Sequence, residues 1–244
     1  MLPLRSRIKA ALEALTASGP LPLVRQFTYS DADTYAAYRA AQIRKAARDT
    51  ADVWADEKTL DLIADYARAR VPDLGFGICH GSKGGFESRY LAARLGCEVI
   101  GTDIAPPPNA AGVIAWDFHE PRKEWIGRAG LIYTNAFDHA FDPRKAMNTW
   151  VEQLAPGGLI FIEHTLMHGP QTVTESDPFG AHPLVMPYLV LDWGKGRYCV
   201  SDIIRPAHKK PYWKGAANGG TREQTNLDIW VFVVTKTKLS LSRS

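Results

Sequence analysis

The chain has 244 residues and a net charge of +3, with 23% charged and 45% hydrophobic residues. This length suits one α/β domain with additions, and the composition is that of a globular protein that needs no disulfides to stabilise its core. The small charge and the lack of a dense Lys/Arg run argue against a nucleic-acid partner. Cys79, Cys97 and Cys199 lack metal-site spacing, and no stretch has the roughly 18 apolar residues of a membrane span. We therefore expect reduced thiols, a cytoplasmic location and no membrane partner.

The first part of the chain predicts three helices before any strand. Residues 4–17 place apolar side chains on one helical face, and a second helix is expected from Ser30 or Asp31 towards Arg48. A third covers residues 56–70 and stops before Pro72. These helices are too polar to form a domain alone, so we expect residues 1–55 to form a lid or arm over the core. A dimer arm is an alternative for the first helix, and a membrane-surface element is the least favoured one.

From residue 74 the pattern alternates between strands and helices. Short apolar runs predict strands at residues 74–79, 97–103, 112–118, 130–135 and 159–164. Amphipathic segments predict helices at residues 84–96, 121–130 and 142–158, with Pro121 and Pro143 near two helix starts and Gly96 as a C-cap. Repeated βα units with nearly continuous apolar strands indicate a parallel sheet that is covered on both faces.

After His164 this alternation ends. Residues 165–195 predict a long irregular stretch with a helix at residues 182–194, and two strand-like runs follow at residues 197–204 and 227–237. No helical pattern connects these two runs, so they are expected to pair as antiparallel neighbours at one edge of the sheet.

A glycine-rich turn follows the first strand of the βα series, in the sequence GFGICHGSKGGFE. Glycines let a backbone approach a ligand closely, and the helix that follows presents unpaired N–H groups. Asp103 ends the next strand and can accept hydrogen bonds from both hydroxyls of a ribose. The turn fits neither the G-x-G-x-x-G pattern of dinucleotide sites nor the G-x-x-x-x-G-K-[ST] pattern of nucleoside triphosphate sites. These features predict an adenosine-like ligand with a tail that lies over the glycines.

The glycine turn, EVIGTDIAP, AWDF, GLIYTN, LAPGGLIFIEH and the terminal hairpin resemble the class I S-adenosylmethionine-dependent methyltransferases over about residues 56–237. CHGSKGGFE, GTDI, WDFHE and NAFDHAFDP are similar to a bacterial branch with CHG-type turns. The resemblance implies a Rossmann-like three-layer α/β sandwich: a mostly parallel seven-stranded sheet with an antiparallel C-terminal strand beside the fifth, preceded by the N-terminal helices. Residues 56–244 would form the methyltransferase domain, with residues 165–197 as an insertion on the acceptor side.

The implied activity is methyl transfer from S-adenosylmethionine to a small-molecule or glycan-like acceptor, by direct in-line displacement. A non-catalytic S-adenosylmethionine-binding or regulatory module on the same fold is the first alternative, because a fold does not determine chemistry. A nicotinamide-dependent oxidoreductase is a weaker alternative, because the G-x-G-x-x-G pattern is missing. A homodimer is left open.

The resemblance also assigns residues of the turn. Gly81 and Gly85 match glycines that lie under the methionine part of the cofactor. Cys79 stands where many members have an acid, and Lys83 where a second glycine is common. The contact to the cofactor's amino group is therefore open, and His80 or Lys83 could meet its carboxylate. For His80 the competing interpretation is a hydrogen bond that stabilises the turn.

Other cofactor residues follow at the later strand ends. Asp103 matches the acid on the ribose, Ile104 would lie against the adenine, and Asp117 matches the acid that meets the adenine amino group. The remaining cofactor positions, beside the adenine and along the methionine part, are Phe118, Asn135 and Ala136.

Two acid–histidine pairs are the catalytic candidates. Asp138 and His139 follow the fourth strand, and Glu163 and His164 end the fifth. A histidine is a suitable base near neutral pH, and a carboxylate can orient it. The alternative for each histidine is a structural hydrogen bond to the backbone.

The same acid–histidine pairs could in principle bind a metal ion. His164 and His168 are four residues apart, but they straddle a strand end and a loop, so no metal site is expected. Aromatic side chains after the fifth strand either shape an acceptor pocket or belong to the core or a dimer contact; they are Phe179, His182, Tyr188 and Trp193.

Overall fold

The computed structural model of the protein describes residues 22–30, 32–48, 53–214 and 223–237. The helix expected at residues 4–17 lies outside them. The helices of the described ranges are α1 Thr34–Arg48, α2 Glu57–Arg70, α3 Phe86–Leu95, α4 Pro143–Gln153 and α5 Met186–Gly194. The strands of the described ranges are β1 Val24–Gln26, β2 Phe76–His80, β3 Glu98–Asp103, β4 Val113–Ala115, β5 Ala129–Thr134, β6 Leu154–His164, β7 Phe179–Ala181, β8 Tyr198–Ile204, β9 Lys210–Lys214, β10 Glu223–Leu227 and β11 Trp230–Lys236.

A seven-stranded sheet in the order β4-β3-β2-β5-β6-β11-β8 forms the centre of the described molecule. Strands β4, β3, β2, β5 and β6 are parallel to one another. Strand β11 is antiparallel to both β6 and β8, and its Phe232 lies opposite Ile162 on one side and Ile203 on the other. The expected mostly parallel sheet, with an antiparallel last strand beside the fifth strand of the βα series, is therefore confirmed.

Helices cover the two faces of this sheet, which gives the expected three layers. One face packs Ile78 and Ile132 against Trp150 of α4 and Val190 of α5. The opposite face packs a second apolar cluster against α2 and α3, with the buried side chains Leu60, Ile63, Cys79, Leu91, Leu131, Tyr133 and Phe161. Neighbouring residues along β5 thus enter different cores, as the two-residue period of a strand requires.

Two side-chain caps and one glycine determine three of the helix ends, of which the sequence predicts the C-cap Gly96. The Thr59 N–H donates to Asp56 Oδ1 over 2.9 Å at the start of α2, and the Lys145 N–H donates to Asp142 Oδ1 over 2.8 Å at the start of α4. Gly96 ends α3 at a φ of 70°, a left-handed conformation that favours glycine.

Five segments account for the main differences from the sequence-based expectations. Residues 154–158, expected at the end of a helix, begin strand β6. Helix α1 begins at Thr34, because Asp33 accepts a hydrogen bond from the Ala36 N–H over 3.0 Å. The helix expected at residues 121–130 is one short 3₁₀ turn, Lys123–Trp125. The chain then turns away, and the Gly127 N–H donates to the carbonyl of Glu152 over 2.9 Å.

The other two differences are additional strand pairs. Strand β1 pairs with β7 from the stretch expected to be irregular, and β9 pairs with β10 between the last two strands of the main sheet. Both involve short strands with few apolar residues, for which the sequence pattern is weak. None of the described helices combines the length and apolar character needed to cross a membrane.

Candidate functional site

A cleft of about 830 Å³ lies at the carboxyl ends of the central strands. This volume is within the range of about 300–1,000 Å³ that is usual for small-molecule sites. The turn after β2 and the ends of β3 and β5 form one wall, and α1 and the start of β9 form the other. The expected site residues that line the cleft are Gly81, Lys83, Asp103, Ile104, Asp117, Phe118, Asn135, Ala136, Asp138 and His139. The expected site residues that are not part of its lining are His80, Gly85 and His164.

The glycine turn lies directly against the end of β5. A Cβ atom added at Gly81 would stand 2.5 Å from the Cβ atom of Ala136, and the φ of Gly81 is 72°. Lys83 has a φ of 46°, which is uncommon for a residue with a side chain. Its backbone N–H donates to Asp103 Oδ2 over 3.0 Å. The conformation explains why glycine would suit this position.

Gly85 supports the turn from behind. Its φ is 75°, and an added Cβ atom would stand 2.6 Å from Cγ2 of Val113 in β4. The residue joins the turn to the start of α3, so the requirement for glycine here arises from chain geometry.

Asp103 is held in a fixed orientation at the end of β3. Its Oδ2 atom accepts from the Lys83 N–H, and its Oδ1 atom accepts from the Ala105 N–H over 2.9 Å. A carboxylate has about four acceptor positions, so both oxygens retain capacity for hydroxyl donors in the cleft.

Both carboxylate oxygens of Asp117 already have side-chain hydrogen-bond partners. Its Oδ1 atom is 2.6 Å from His119 Nδ1, and its Oδ2 atom accepts from the Tyr35 hydroxyl of α1. Burial would raise the pKa of this carboxyl, but the hydrogen bonds from His119 and Tyr35 outweigh burial and lower the pKa to about 2. Asp117 therefore remains ionised, and a ligand amine would share it with Tyr35.

His80 lies beneath the cleft, within the core. Its Nδ1 atom is 2.8 Å from Thr102 Oγ1, its Nε2 atom is 2.9 Å from Gln153 Oε1, and its ring stacks on Trp150 at a centroid distance of 5.2 Å. Burial lowers the pKa of His80 to about 4, so the ring is neutral. This position gives no support to the cofactor contact expected of His80, and it favours the stabilising hydrogen bond that was the alternative.

His164 is also a buried structural residue. Its Nε2 atom donates to the carbonyl oxygen of Ala181 in β7 over 3.0 Å, and burial lowers its pKa well below the usual range. Glu163 is paired with Lys210 and accepts from the Tyr133 hydroxyl over 2.7 Å. The position of His164 thus does not support its expected role as a base: the ring connects the main sheet to the small β1–β7 sheet.

The second acid–histidine pair does face the cleft. The His139 Nε2 atom is 3.1 Å from the Lys45 ammonium and 3.2 Å from Asp177 Oδ1, and its Nδ1 atom is 3.1 Å from Gln42 Oε1. Asp138 is buried, and its Oδ1 atom has no hydrogen-bond partner among the described residues. Burial raises the pKa of Asp138 to about 6.

This cluster also has the composition of a metal site. One ligand atom each of Asp138, His139 and Asp177 lies within 4.8 Å of the others. The Lys45 ammonium already contacts two of the three groups and donates to Asp177 Oδ1 over 2.5 Å. A lysine therefore supplies the positive charge here. The other candidate, His168, accepts at Nδ1 from the Thr165 N–H over 3.1 Å as part of a local cap.

Several cleft residues had no signal in the sequence. Tyr38, Gln42 and Lys45 come from α1, which read only as a polar helix, and Lys210 and Tyr212 come from the unpredicted β9. Their partners are remote in sequence: 132 positions separate Lys45 from Asp177. Glu87 of α3 also lines the cleft, whereas the sequence pattern placed it only within a predicted helix.

The aromatic residues after β6 divide between core and surface. Phe179 and Trp193 pack against Phe137 at centroid distances of 5.5 Å and 6.2 Å. Tyr188 is 66% exposed on α5, and neither it nor His182 lines the cleft. The first two residues therefore belong to the core, as the alternative interpretation had it.

Comparison with known proteins finds similarity only at the level of structure. No family model and no curated protein sequence matches the chain. The 1,6-didemethyltoxoflavin-N1-methyltransferase of Burkholderia thailandensis, solved with its acceptor and S-adenosylhomocysteine, has a TM-score of 0.56 and 13% identity over 88% of this chain and 95% of that one.

Two further solved structures are similar to the same extent. The geranyl diphosphate C-methyltransferase of Streptomyces coelicolor A3(2), in complex with Mg²⁺, geranyl diphosphate and S-adenosyl-L-homocysteine, has a TM-score of 0.56 and 9% identity over 82% of this chain and 98% of that one. A SAM-dependent methyltransferase of Archaeoglobus fulgidus has a TM-score of 0.51 and 13% identity over 75% of this chain and 95% of that one. The chain thus has the class I methyltransferase fold, whereas the branch with CHG-type turns stays a prediction.

Proposed function

We propose that this protein is an S-adenosylmethionine-dependent methyltransferase that acts on a small polar acceptor. The observation that carries the proposal is the orientation of Asp103. Two backbone N–H groups hold its carboxylate at the end of β3, opposite the glycine turn, with acceptor capacity left on the cleft side. The shared fold, and the S-adenosylhomocysteine found in two of its structural neighbours, support the same cofactor.

The residues of the cleft fit this cofactor. Asp103 would hold the ribose hydroxyls, Ile104 and Phe118 would lie against the adenine, and Asp117 would accept from its amino group. The methionine part would lie against the turn from Gly81 to Gly85, which includes Lys83. On its other side it would contact the two residues after β5, Asn135 and Ala136. A Cβ atom added at Gly84 would meet nothing within 4 Å, so the turn is open beside this segment. When bound, the cofactor supplies an electrophilic methyl group on a sulfonium.

Asp138 and His139 are the groups that we propose for the acceptor. The Oδ1 atom of Asp138 has no hydrogen-bond partner among the described residues, lies 4.0 Å from His139 Nε2, and would accept a hydrogen bond from a hydroxyl or amine. His139, held by Lys45 and Gln42, would position the acceptor molecule. Trp54 adds a buried Nε1 donor without a described partner, and its ring lies 5.9 Å from that of Tyr212. Aromatic faces next to carboxylates suit a polar, ring-shaped acceptor, of which a glycan-like molecule is one.

The domain assignment also becomes a proposal. Helix α1 forms a wall of the cleft through Tyr38 and Lys45, which supports a lid at residues 1–55. Met167, His168 and Asp177 line the acceptor side, which supports an insertion there at residues 165–197.

Calorimetric titration with S-adenosylhomocysteine tests the cofactor proposal. We expect binding by the wild type and a loss of affinity of roughly tenfold or more in Asp103→Ala, because a charge-assisted hydrogen bond contributes about 1.5–3 kcal/mol. Asp73→Ala, on an exposed loop, is the control and should bind like the wild type. A wild type that binds no S-adenosylhomocysteine would refute the proposal.

The role of Asp138 is tested by turnover. With an acceptor found by screening amino sugars, sugars and phenols for S-adenosylhomocysteine release, Asp138→Asn should lower kcat by about 10²–10⁴-fold. Its affinity for S-adenosylhomocysteine should not change. Unchanged turnover would exclude Asp138 as a catalytic residue. Tight cofactor binding with no turnover of any acceptor would favour the non-catalytic binding module.

A further inference from the structure

Glu87 is a buried carboxylate on the wall of the cleft. It lies in the first turn of α3 and is 6% exposed. Its Oε1 atom accepts from the Asn135 side-chain amide over 3.3 Å, a long and neutral hydrogen bond. Burial of an ionised carboxylate is costly unless a cation or several strong donors compensate it. Its own backbone N–H is the other donor, and these bonds do not offset burial, which raises the pKa of the Glu87 carboxyl.

The Lys210 ammonium, which acts electrostatically on Glu87, is already engaged. The Lys210 ammonium forms a buried ion pair with Glu163 and has its second acidic neighbour, Asp56, at 3.9 Å. Burial and then the charge of Glu87 raise the pKa of the Cys79 thiol, so Cys79 is a neutral thiol and not a further anion. Glu87 and Glu163 thus both interact with one ammonium, and no residue of the described ranges forms an ion pair with Glu87.

The position of Glu87 indicates where a missing cation would come from. Glu87 is bonded to Asn135, one of the two residues after β5 to which the proposed function assigns the methionine part of the cofactor. That part carries one ammonium group. The end of β2 offers it no carboxylate, because Cys79 stands there and is fully buried.

We propose that the Glu87 carboxylate binds the α-ammonium group of the cofactor's methionine part. The inference rests on the proposed function. In it, a carboxylate from the first turn of α3 binds the ammonium group, in place of an acid at the end of β2. It also explains why an acid without an ion-pair partner among the described residues is buried at this position.

A helix-stabilising role is the competing explanation. An acid in a first helical turn interacts favourably with the unpaired N–H groups there. Such a role would affect the stability of the fold, and it would affect all ligands of the cleft alike. The two explanations therefore differ in whether the effect depends on the ammonium group of the ligand.

Two ligands separate these explanations. S-Adenosylhomocysteine carries the ammonium, and 5′-methylthioadenosine has the same nucleoside and thioether but no amino acid part. Each is titrated calorimetrically into the full-length wild type, Glu87→Gln and the control Glu98→Gln, which changes an exposed residue. We expect Glu87→Gln to weaken S-adenosylhomocysteine roughly tenfold to a hundredfold and to leave 5′-methylthioadenosine within about twofold, because one charge-assisted bond is lost. Glu98→Gln should leave both affinities unchanged.

Each other outcome overturns one of the proposals. Equal weakening of both ligands, or no weakening of either, overturns the role of Glu87 and leaves the proposed function intact. A wild type that binds neither ligand overturns the proposed function itself. Glu87→Asp is the second variant, used if Glu87→Gln fails to fold, because it keeps the charge on a shorter side chain. Its affinity for S-adenosylhomocysteine should be lower than that of the wild type by less than tenfold. Its affinity for 5′-methylthioadenosine should not change. A Glu87→Asp variant that weakens both ligands equally contradicts the inference.

Discussion

At the scale of single residues, the core beneath the cleft contains a histidine that burial holds in its neutral form. Burial keeps His80 neutral between Thr102 and Gln153, with a pKa of about 4. In the unfolded chain the same imidazole has a pKa of about 6.5. The unfolded state therefore binds a proton in the interval between these values, and the folded state does not. Neutral His80 thus supports the fold fully above pH 6.5, and this support is lost as the pH falls towards 4.

We expect the linkage of His80 to cost the wild type about 2 kcal/mol of unfolding free energy between pH 7 and pH 5. His168 acts in the same direction and Asp138 in the opposite one, so the measurement must isolate His80. Urea unfolding of wild type and His80→Gln at both pH values does this, because the other groups cancel in the difference. Between pH 7 and pH 5, the free energy of unfolding of His80→Gln should fall by about 2 kcal/mol less than that of the wild type. His182→Gln, which changes a partly exposed ring, is the control. Equal losses in wild type and His80→Gln would contradict the linkage.

At the scale of elements, α1 and the start of β9 form the wall of the cleft that lies opposite the strand ends. Tyr35, Tyr38, Gln42 and Lys45 recur at spacings of three and four residues, so they share one face of the helix. That face meets Asp117 through Tyr35, the carbonyl of Ser176 through Gln42, and Asp177 through Lys45. Polar contacts therefore dock this helix, together with the packing of the buried Tyr38 ring against Phe141.

Removal of Lys45 should loosen this wall. In Lys45→Met we expect faster amide hydrogen exchange in α1 and in residues 174–177, because Asp177 and His139 lose their shared cation. Arg44→Met is the matched control: its ion pair with Glu175 is half exposed, and exposed pairs contribute little. Hydrogen exchange with mass spectrometry measures both variants. An equal response to the two substitutions would indicate that Lys45 does not dock the helix.

At the scale of the whole molecule, the inserted strand β11 joins the parallel series to the edge strand. Val231 and Val233 of β11 enter one core, and Phe232 enters the other. Phe232 is fully buried between Ile162 and Ile203, whereas Ile203 on the edge strand β8 is 42% exposed. The two facing residues therefore differ in burial although both are large and apolar.

This difference predicts unequal losses of stability. Phe232→Ala should lower the free energy of unfolding by about 3–5 kcal/mol, because a buried aromatic ring is replaced by a cavity in a rigid sheet. Ile203→Ala should cost markedly less, since solvent already reaches its side chain. Urea denaturation followed by circular dichroism measures both. Similar losses would show that the edge strand is as important for the core as the inserted one.

The sequence by itself determined the order of the elements and the half of the cleft that we assign to the cofactor. Alternation of apolar runs and amphipathic segments, the helix-end residues Pro143 and Gly96, and the glycines of the turn all act over a few residues, so their effect can be read locally. Asp103 and Asp117 belong to the same class, because each lies at the carboxyl end of a predicted strand.

Only the tertiary structure decided which polar groups meet across the cleft. The contacts of Lys45 with Asp177, and of Lys210 with Glu163, join residues 132 and 47 positions apart. It also placed His80 in the core and Glu87 beside Asn135, with no ion-pair partner for Glu87 in the described part of the chain. Such pairings depend on how helices and hairpins dock, and docking is determined by burial and charge compensation summed over the whole molecule. For this reason the acceptor side of the cleft became apparent only in the folded chain.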